Sequence, residues 1–231
     1  MRFCVTVHSF NNREHDRNRK NLKSVLQQNY ENYHIVFVDD ASTDGTLEDS
    51  MAYLKTQGFP NERVKYVRNL RRSHATYSIV NAAFNFCGED DVQLILDGKD
   101  FLLGRYVFQL MNAGYQKNKD LWIHYSSYID SEYKTGLARA IGYYREYEYS
   151  MDSPKGKIRK LVSALGPLLT WRVKVLRHAP LHSYKMQNGE WTDVIEIETF
   201  AHTLLELSNV DRQKFTNEIV YCDNIIYSDY S

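Results

Sequence analysis

Excess charge is absent from this chain: 29 lysines and arginines balance 29 aspartates and glutamates. A neutral chain exerts no global pull on nucleic acid or on an anionic membrane surface, so any anionic ligand must be held by a local site. Long apolar runs are absent too. None approaches the ~20 residues that cross a bilayer, so no transmembrane anchoring is expected. The first residues, Met1-Arg2-Phe3-Cys4-Val5, read as a core strand and not as a secretory leader, and the expected compartment is cytoplasmic. Cysteine is sparse. Cys4, Cys87 and Cys222 stand far apart, with neither metal-ligand spacing nor a disulfide framework, and each is expected to fill core space as a small hydrophobe. With no repeat and no linker, the 231 residues are expected to form one domain, 1–231.

What is present is a regular alternation of short apolar strands and amphipathic stretches. Phe3–His8 reads as a first strand and Asn18–Gln28 as a helix with Leu22, Val25 and Leu26 on one face. His34–Val38 is a second strand, followed by a helix capped by Asp44 or Thr46 that runs to about Gln57. Val64–Val67, a helix from Ala75 to Cys87, and Val92–Leu96 complete the series. Strands separated by helical segments of about 10–15 residues predict βαβ units, hence an α/β fold with a Rossmann-like, mostly parallel sheet flanked by helices. Beyond residue 104 the pattern loosens. Tyr106–Lys117 reads as a helix, Leu121–Tyr128 and Leu168–Trp171 as strands, Val173–His178 as a short helix and Asp193–Leu207 as a longer one. Ile219–Tyr230 is expected to supply an edge strand or a tail over the site, and 133–160 a long loop facing the acceptor or a plain surface loop.

The chemistry concentrates at Val36-Phe37-Val38-Asp39-Asp40-Ala41-Ser42-Thr43-Asp44-Gly45-Thr46. An apolar strand delivers two carboxylates to the crevice where open α/β sheets bind ligands. Ionised carboxylates accept hydrogen bonds and can read the N–H of a uracil or the hydroxyls of a ribose; the same pair could equally cap a helix. Strand ends one, two and four bring His8-Ser9-Phe10, Asp39-Asp40 and Asp97–Asp100 to one edge, where Phe10 could stack on a base.

These segments resemble family 2 glycosyltransferases, the inverting group with the GT-A fold. Ser9-Phe10-Asn11 matches the family's small-aromatic-Asn turn, with Phe for the usual Tyr, and Asn21-Leu22-Lys23-Ser24-Val25-Leu26-Gln27-Gln28-Asn29-Tyr30 matches its first helix. Asp39 to Thr46 matches nearly letter for letter, with Ala41 for the common Gly, and Asn69–Arg72, Asn81–Ala83 and Leu94–Leu103 match further on. The match is close over 3–104, the nucleotide-sugar-binding half, and loose over 105–231, the acceptor-side half. The resemblance implies transfer of a sugar from a UDP-sugar donor to a saccharide, protein or lipid-linked acceptor. It places His8 and Phe10 in the uridine pocket, Asp40 on the base with Asp39 supporting the turn, and Arg71, Arg72 or His74 near the ribose or diphosphate.

It also implies Mn2+ or Mg2+ at Asp100, supported by Asp97, since hard cations take oxygen ligands. Here the chain departs from the family: Asp97-Gly98-Lys99-Asp100 carries Lys99 where an acid is usual. Lys99 could offset phosphate charge or point outward. The family's general base lies roughly ninety residues further on, which selects Asp193 first and Glu190 second; Thr192 or Asp193 could otherwise cap a helix. The substitution at Lys99 leaves open a catalytically impaired homologue that binds nucleotide sugars. The tyrosines and basic residues of 133–160 would suit single-strand nucleic acid, but acidic residues are mixed among them and no nucleic-acid partner is expected.

Overall fold

Seven consecutive buried residues, Phe3–Ser9, form β1, a strand covered on both faces. Such burial needs parallel neighbours joined by helical crossovers, and β1 has two: β2 (Tyr33–Asp39) and β4 (Val92–Asp97). β3 (Val64–Arg68) extends the parallel half beyond β2. The crossovers are α1 (Arg17–Leu26), α2 (Thr46–Thr56) and α3 (His74–Asn85). This computed structural model describes residues 1–132, 135–136, 167–185, 189–191, 204, 207–208 and 210–224.

The second half adds β5 (Phe101–Leu102), α4 (Val107–Lys117), β6 (Ile123–Asp130), β7 (Thr135–Gly136), β8 (Leu169–Arg172), α5 (Val173–His178) and β9 (Gln213–Asp223). Sheet order is β3-β2-β1-β4-β8-β6-β9-β5, with β7 paired to β6. β8 runs antiparallel to β4, so the sheet is mixed from there onward. Of the stretch Ile219–Tyr230, expected as an edge strand or a tail, Ile219–Asp223 ends β9, which begins earlier and lies between β6 and β5 because two-residue β5 pairs with its far side; 225–230 lie outside the described residues. The expected helix Asp193–Leu207 and loop 133–160 fall mostly outside the described residues.

Alternation along the strands sorts side chains to two cores. Phe3, Val5 and Val7 join Leu22, Val25, Phe108 and Met111 on the α1/α4 face. Cys4 joins Val36, Val38, Ile79, Ala83 and Trp171 on the α3/α5 face. Here the expectation for cysteine is corrected. Cys4 and Cys87, separated by 83 residues, form a disulfide, because the turn after α3 returns beneath the start of β1; sequence separation gives no hint of that return. Cys222 is free and buried, as expected.

Polar residues of α1 have a separate role. Asn21 donates from Nδ2 to the carbonyls of Asp97 (2.7 Å) and Asp100 (2.8 Å). Ser24 Oγ accepts Leu102 N–H, and Gln28 Oε1 accepts Val107 N–H. The helix thereby fixes the turn that follows β4, and buried polar groups satisfied in this way favour one geometry.

Candidate functional site

The carboxyl ends of β1, β2 and β4 meet as expected. Gly98 N–H donates to His8 carbonyl at 2.7 Å, and Asp40 N–H to Ser9 carbonyl at 2.8 Å, knitting the three turns together. Gly98 has no room for a side chain: a Cβ there would lie 2.5 Å from Ser9 Oγ and 2.7 Å from Asn12 Nδ2.

Asp40 is fully buried. Oδ1 accepts Asn69 Nδ2 (2.7 Å) and Ser73 N–H (2.8 Å), and Oδ2 accepts His74 N–H (3.0 Å). His8 Nε2 lies 3.4 Å from Oδ2 and Arg72 Nε 3.8 Å away. Burial pushes this carboxyl up, but the contacts from His8, Asn69 and Ser73 outweigh it and hold Asp40 well below the usual carboxylate range. The anion sits at the N-terminus of α3, where N–H groups lack helical partners. The capping role that residue chemistry left open is therefore real, but it serves α3, which packs against β2, and not the helix next in sequence. Asp39 is also fully buried; its Oδ2 receives Ser42 N–H and lies 3.3 Å from Arg68 Nε, while Oδ1 has no hydrogen-bond partner among the described residues.

Phe10 is half-buried, and the Arg72 guanidinium stands 3.8 Å from its ring centroid. Arg71, Arg72 and His74 line a cavity of about 810 Å3 together with Tyr77, Glu190 and Trp191. Trp191 meets Tyr77 edge-on at 5.3 Å. Glu190, exposed, therefore shares a wall with the three basic residues. Asp193 lies outside the described residues.

A second cavity, about 180 Å3, is lined by His8, Asp97, Lys99, Asp100, Tyr221 and Asp223 among others. Asp100 is buried; Oδ2 accepts the Tyr221 hydroxyl at 2.5 Å and Oδ1 accepts Asn224 N–H at 2.9 Å. Burial, and then the charges of Asp97 and Asp223, push Asp100 well above the usual carboxylate range. Asp223 is raised by burial, opposed by Lys99 and reinforced by Asp97 and Asp130. Carboxylates crowded this way are relieved by a cation, and oxygen donors are what Mg2+ and Mn2+ prefer. The donor chemistry of these carboxylates suits such an ion, while both oxygens of Asp100 are engaged by protein donors.

Asp223, Tyr221 and Asn224 were not singled out from sequence. The tyrosine-rich end of the chain was the available signal, but it carries no motif, and only the pairing of β9 with β5 brings it to Asp100.

Residues 4–159 match the family described as Glycosyl transferase family 2. The chain belongs to that family. No curated protein matches the sequence. Among solved structures, S. aureus TarS 1–349 in complex with UDP superimposes with a TM-score of 0.70 at 17% identity, covering 97% of this chain and 61% of that one. TarS 1–349 with UDP-GlcNAc gives 0.68 at 16%, covering 100% and 60%. The mannosyltransferase PcManGT from Pyrobaculum calidifontis, in complex with GDP-Man and Mn2+, gives 0.64 at 18%, covering 99% and 58%. This chain spans about three fifths of each of these proteins, and likeness at such identity establishes the GT-A fold. Among the described residues no helix is long and apolar enough to cross a membrane.

Proposed function

We propose that this family 2 chain is an inverting glycosyltransferase that moves a sugar from a UDP-sugar to an acceptor hydroxyl, in building a glycan. The observation that carries the reading is the convergence of Asp97, Asp100 and Asp223 beside Lys99 at the carboxyl ends of the parallel strands. TarS complexes contain UDP or UDP-GlcNAc, and PcManGT contains GDP-Man and Mn2+; family membership brings a nucleotide-sugar donor to this chain as well.

The uracil takes the place of the Arg72 guanidinium on Phe10; because both oxygens of Asp40 are engaged by loop 69–74, the base-reading role expected of Asp40 passes to Asp39, whose Oδ1 has no hydrogen-bond partner among the described residues. Asp40 holds the loop 69–74 in place, so that Arg71, Arg72 and His74 face the ribose and diphosphate. Asp97, Asp100 and Asp223 would hold Mn2+ or Mg2+, and such an ion would offset the charge of the leaving diphosphate. Lys99 offsets that charge too. Asp193, or Glu190 in its stead, takes the proton of the acceptor hydroxyl as it attacks, and one displacement inverts the anomeric centre. The acceptor is a saccharide, a protein side chain or a lipid-linked saccharide.

One observation favours a second reading, a metal-independent binder of nucleotide sugars: both oxygens of Asp100 already accept protein donors. Thermal stability against UDP, GDP, CMP and UDP-sugars, with and without Mn2+, separates the two. A UDP-selective, Mn2+-dependent rise, with UDP release lost in Asp193→Asn, supports the transferase. A Mn2+-indifferent rise without turnover supports the binder, and no rise with any nucleotide defeats both.

A further inference from the structure

The opposite, amino-terminal end of the sheet holds a cluster that the glycosyl-transfer site does not use. Cys4 on β1 and His34 on β2 are register partners in the parallel pair, and neighbouring positions on adjacent strands project to the same face. Cys87 reaches them from the turn after α3, where its own N–H is tied to Ala82 carbonyl at 3.0 Å. One ligand atom from each of Cys4, His34 and Cys87 falls within 4.8 Å of the others. His34 is already set as a ligand. Its Nε2 lies 3.2 Å from Phe86 carbonyl, which can only accept, so Nε2 carries the proton and Nδ1 presents a lone pair. That Nδ1 is buried with no partner. Burial pushes the imidazole down, the nearby Asp91 charge opposing. A ring nitrogen bonded to a backbone carbonyl opposite an open lone pair is the usual state of a metal-bound histidine.

We infer that Cys4, Cys87 and His34 form a thiolate–imidazole site for a single Zn2+ ion, available when the Cys4–Cys87 disulfide is reduced and closed when it is formed. Ligands 2.0–2.3 Å from a tetrahedral zinc lie roughly 3.5 Å apart, a spacing the 4.8 Å cluster accommodates with small side-chain shifts. The three side chains supply three of the four tetrahedral positions. Asp91, whose charge reaches His34, is engaged by Arg2 Nε (2.6 Å) and by Gly88 N–H (2.7 Å).

A dithiol reductant supplies two electrons and two protons to the disulfide and is itself oxidised to a disulfide. The two thiols formed then release their protons to solvent as the ion binds. Sulfur and imidazole donors select Zn2+ over the Mg2+ or Mn2+ suited to the carboxylates at the other end of the sheet. The disulfide and the ion are thus alternative fastenings of the same place, each joining β1 to the turn that precedes β4.

Co2+, a spectroscopic stand-in for Zn2+, tests this on the intact chain. Metal-free protein is divided into a fraction reduced by a dithiol, freed of reductant, and a fraction oxidised to the disulfide, and each is titrated with Co2+. The reduced fraction is expected to develop a thiolate-to-cobalt charge-transfer band that saturates at one equivalent and is displaced by Zn2+. The oxidised fraction should show none. Carboxylates give no such band, so Co2+ at Asp97, Asp100 and Asp223 does not register, and failure of the glycosyl-transfer reading leaves this result unaffected. Cys222→Ser should retain the band, Cys4→Ser should lose it, and His34→Ala should weaken affinity at least about tenfold. Zn2+ should raise the melting temperature of the reduced protein more than that of the oxidised protein. Absence of the band in the reduced fraction, its presence in the oxidised one, or its persistence in Cys4→Ser would each overturn the site.

Discussion

The Tyr221 hydroxyl donates to Oδ2 of Asp100 at 2.5 Å across 121 residues of sequence. This bond joins β9 to the turn after β4, so the acidic cluster is assembled from both halves of the chain. Tyr221→Phe removes the donor without changing ring volume. Unfolding stability should fall by about 1–2 kcal/mol, the usual worth of a hydrogen bond to a carboxylate. Under the proposed function, freeing Oδ2 of Asp100 for the ion should lower the Mn2+ concentration needed for half-maximal UDP release. Urea melts and a metal titration of turnover read the two effects.

Asp40 is the electrostatic anchor of the loop 69–74. Asp40→Asn exchanges an acceptor-only group for an amide that presents N–H toward Ser73 or His74, so at least one buried backbone donor loses its partner. The expected destabilisation is about 2–3 kcal/mol, with faster amide exchange over 69–74 measured by hydrogen exchange. Unchanged exchange in that loop would remove Asp40 from this role.

Ala41 has φ of 65°, in the left-handed region that a Cβ disfavours by about 1–2 kcal/mol. Ala41→Gly relieves that strain while adding about 0.5–1 kcal/mol of unfolded-state entropy. A net stabilisation of roughly 0.5–1 kcal/mol is expected in denaturant melts. The backbone at Ala41 thus holds a conformation that glycine adopts without strain.

Burial, reinforced by the Lys214 charge, pushes His124 down to about 4. Its ring nitrogens face Met111 carbonyl at 3.3 Å and Thr216 Oγ1 at 2.7 Å. A histidine with a folded pKa below its unfolded value of about 6.5 binds fewer protons folded than unfolded between those values. Its stabilising effect is complete above pH 6.5 and declines as pH falls toward 4, by about 3 kcal/mol in all. His124→Asn should flatten the stability profile across that window, whatever its effect at pH 7. A profile as steep as the wild type's would refute the assignment.

The parallel half was readable because its signals are local. The unbroken buried run Phe3–Ser9, a 3.6-residue apolar period in α1 and the Asp44–Thr46 cap each lie within one element. Asp39, Asp40 and Asp97 could be placed at strand ends for the same reason. β9 could not be placed as well, since a strand's neighbours depend on pairing and not on its own pattern. Cys4–Cys87 was missed because an 83-residue separation says nothing about whether two turns of the chain come back together.

By itself the sequence determined the alternating strands and helices, the acidic strand ends and the family likeness, all of which are carried by neighbours in the chain. Only the tertiary structure decided which atoms those groups face. Asp40 turned its carboxylate to the N–H groups of α3, Asp223 and Tyr221 closed on Asp100, and His34 came to lie beside two cysteines. Hydrogen bonding and charge act over a few ångströms of space, and distance along the chain does not measure that space.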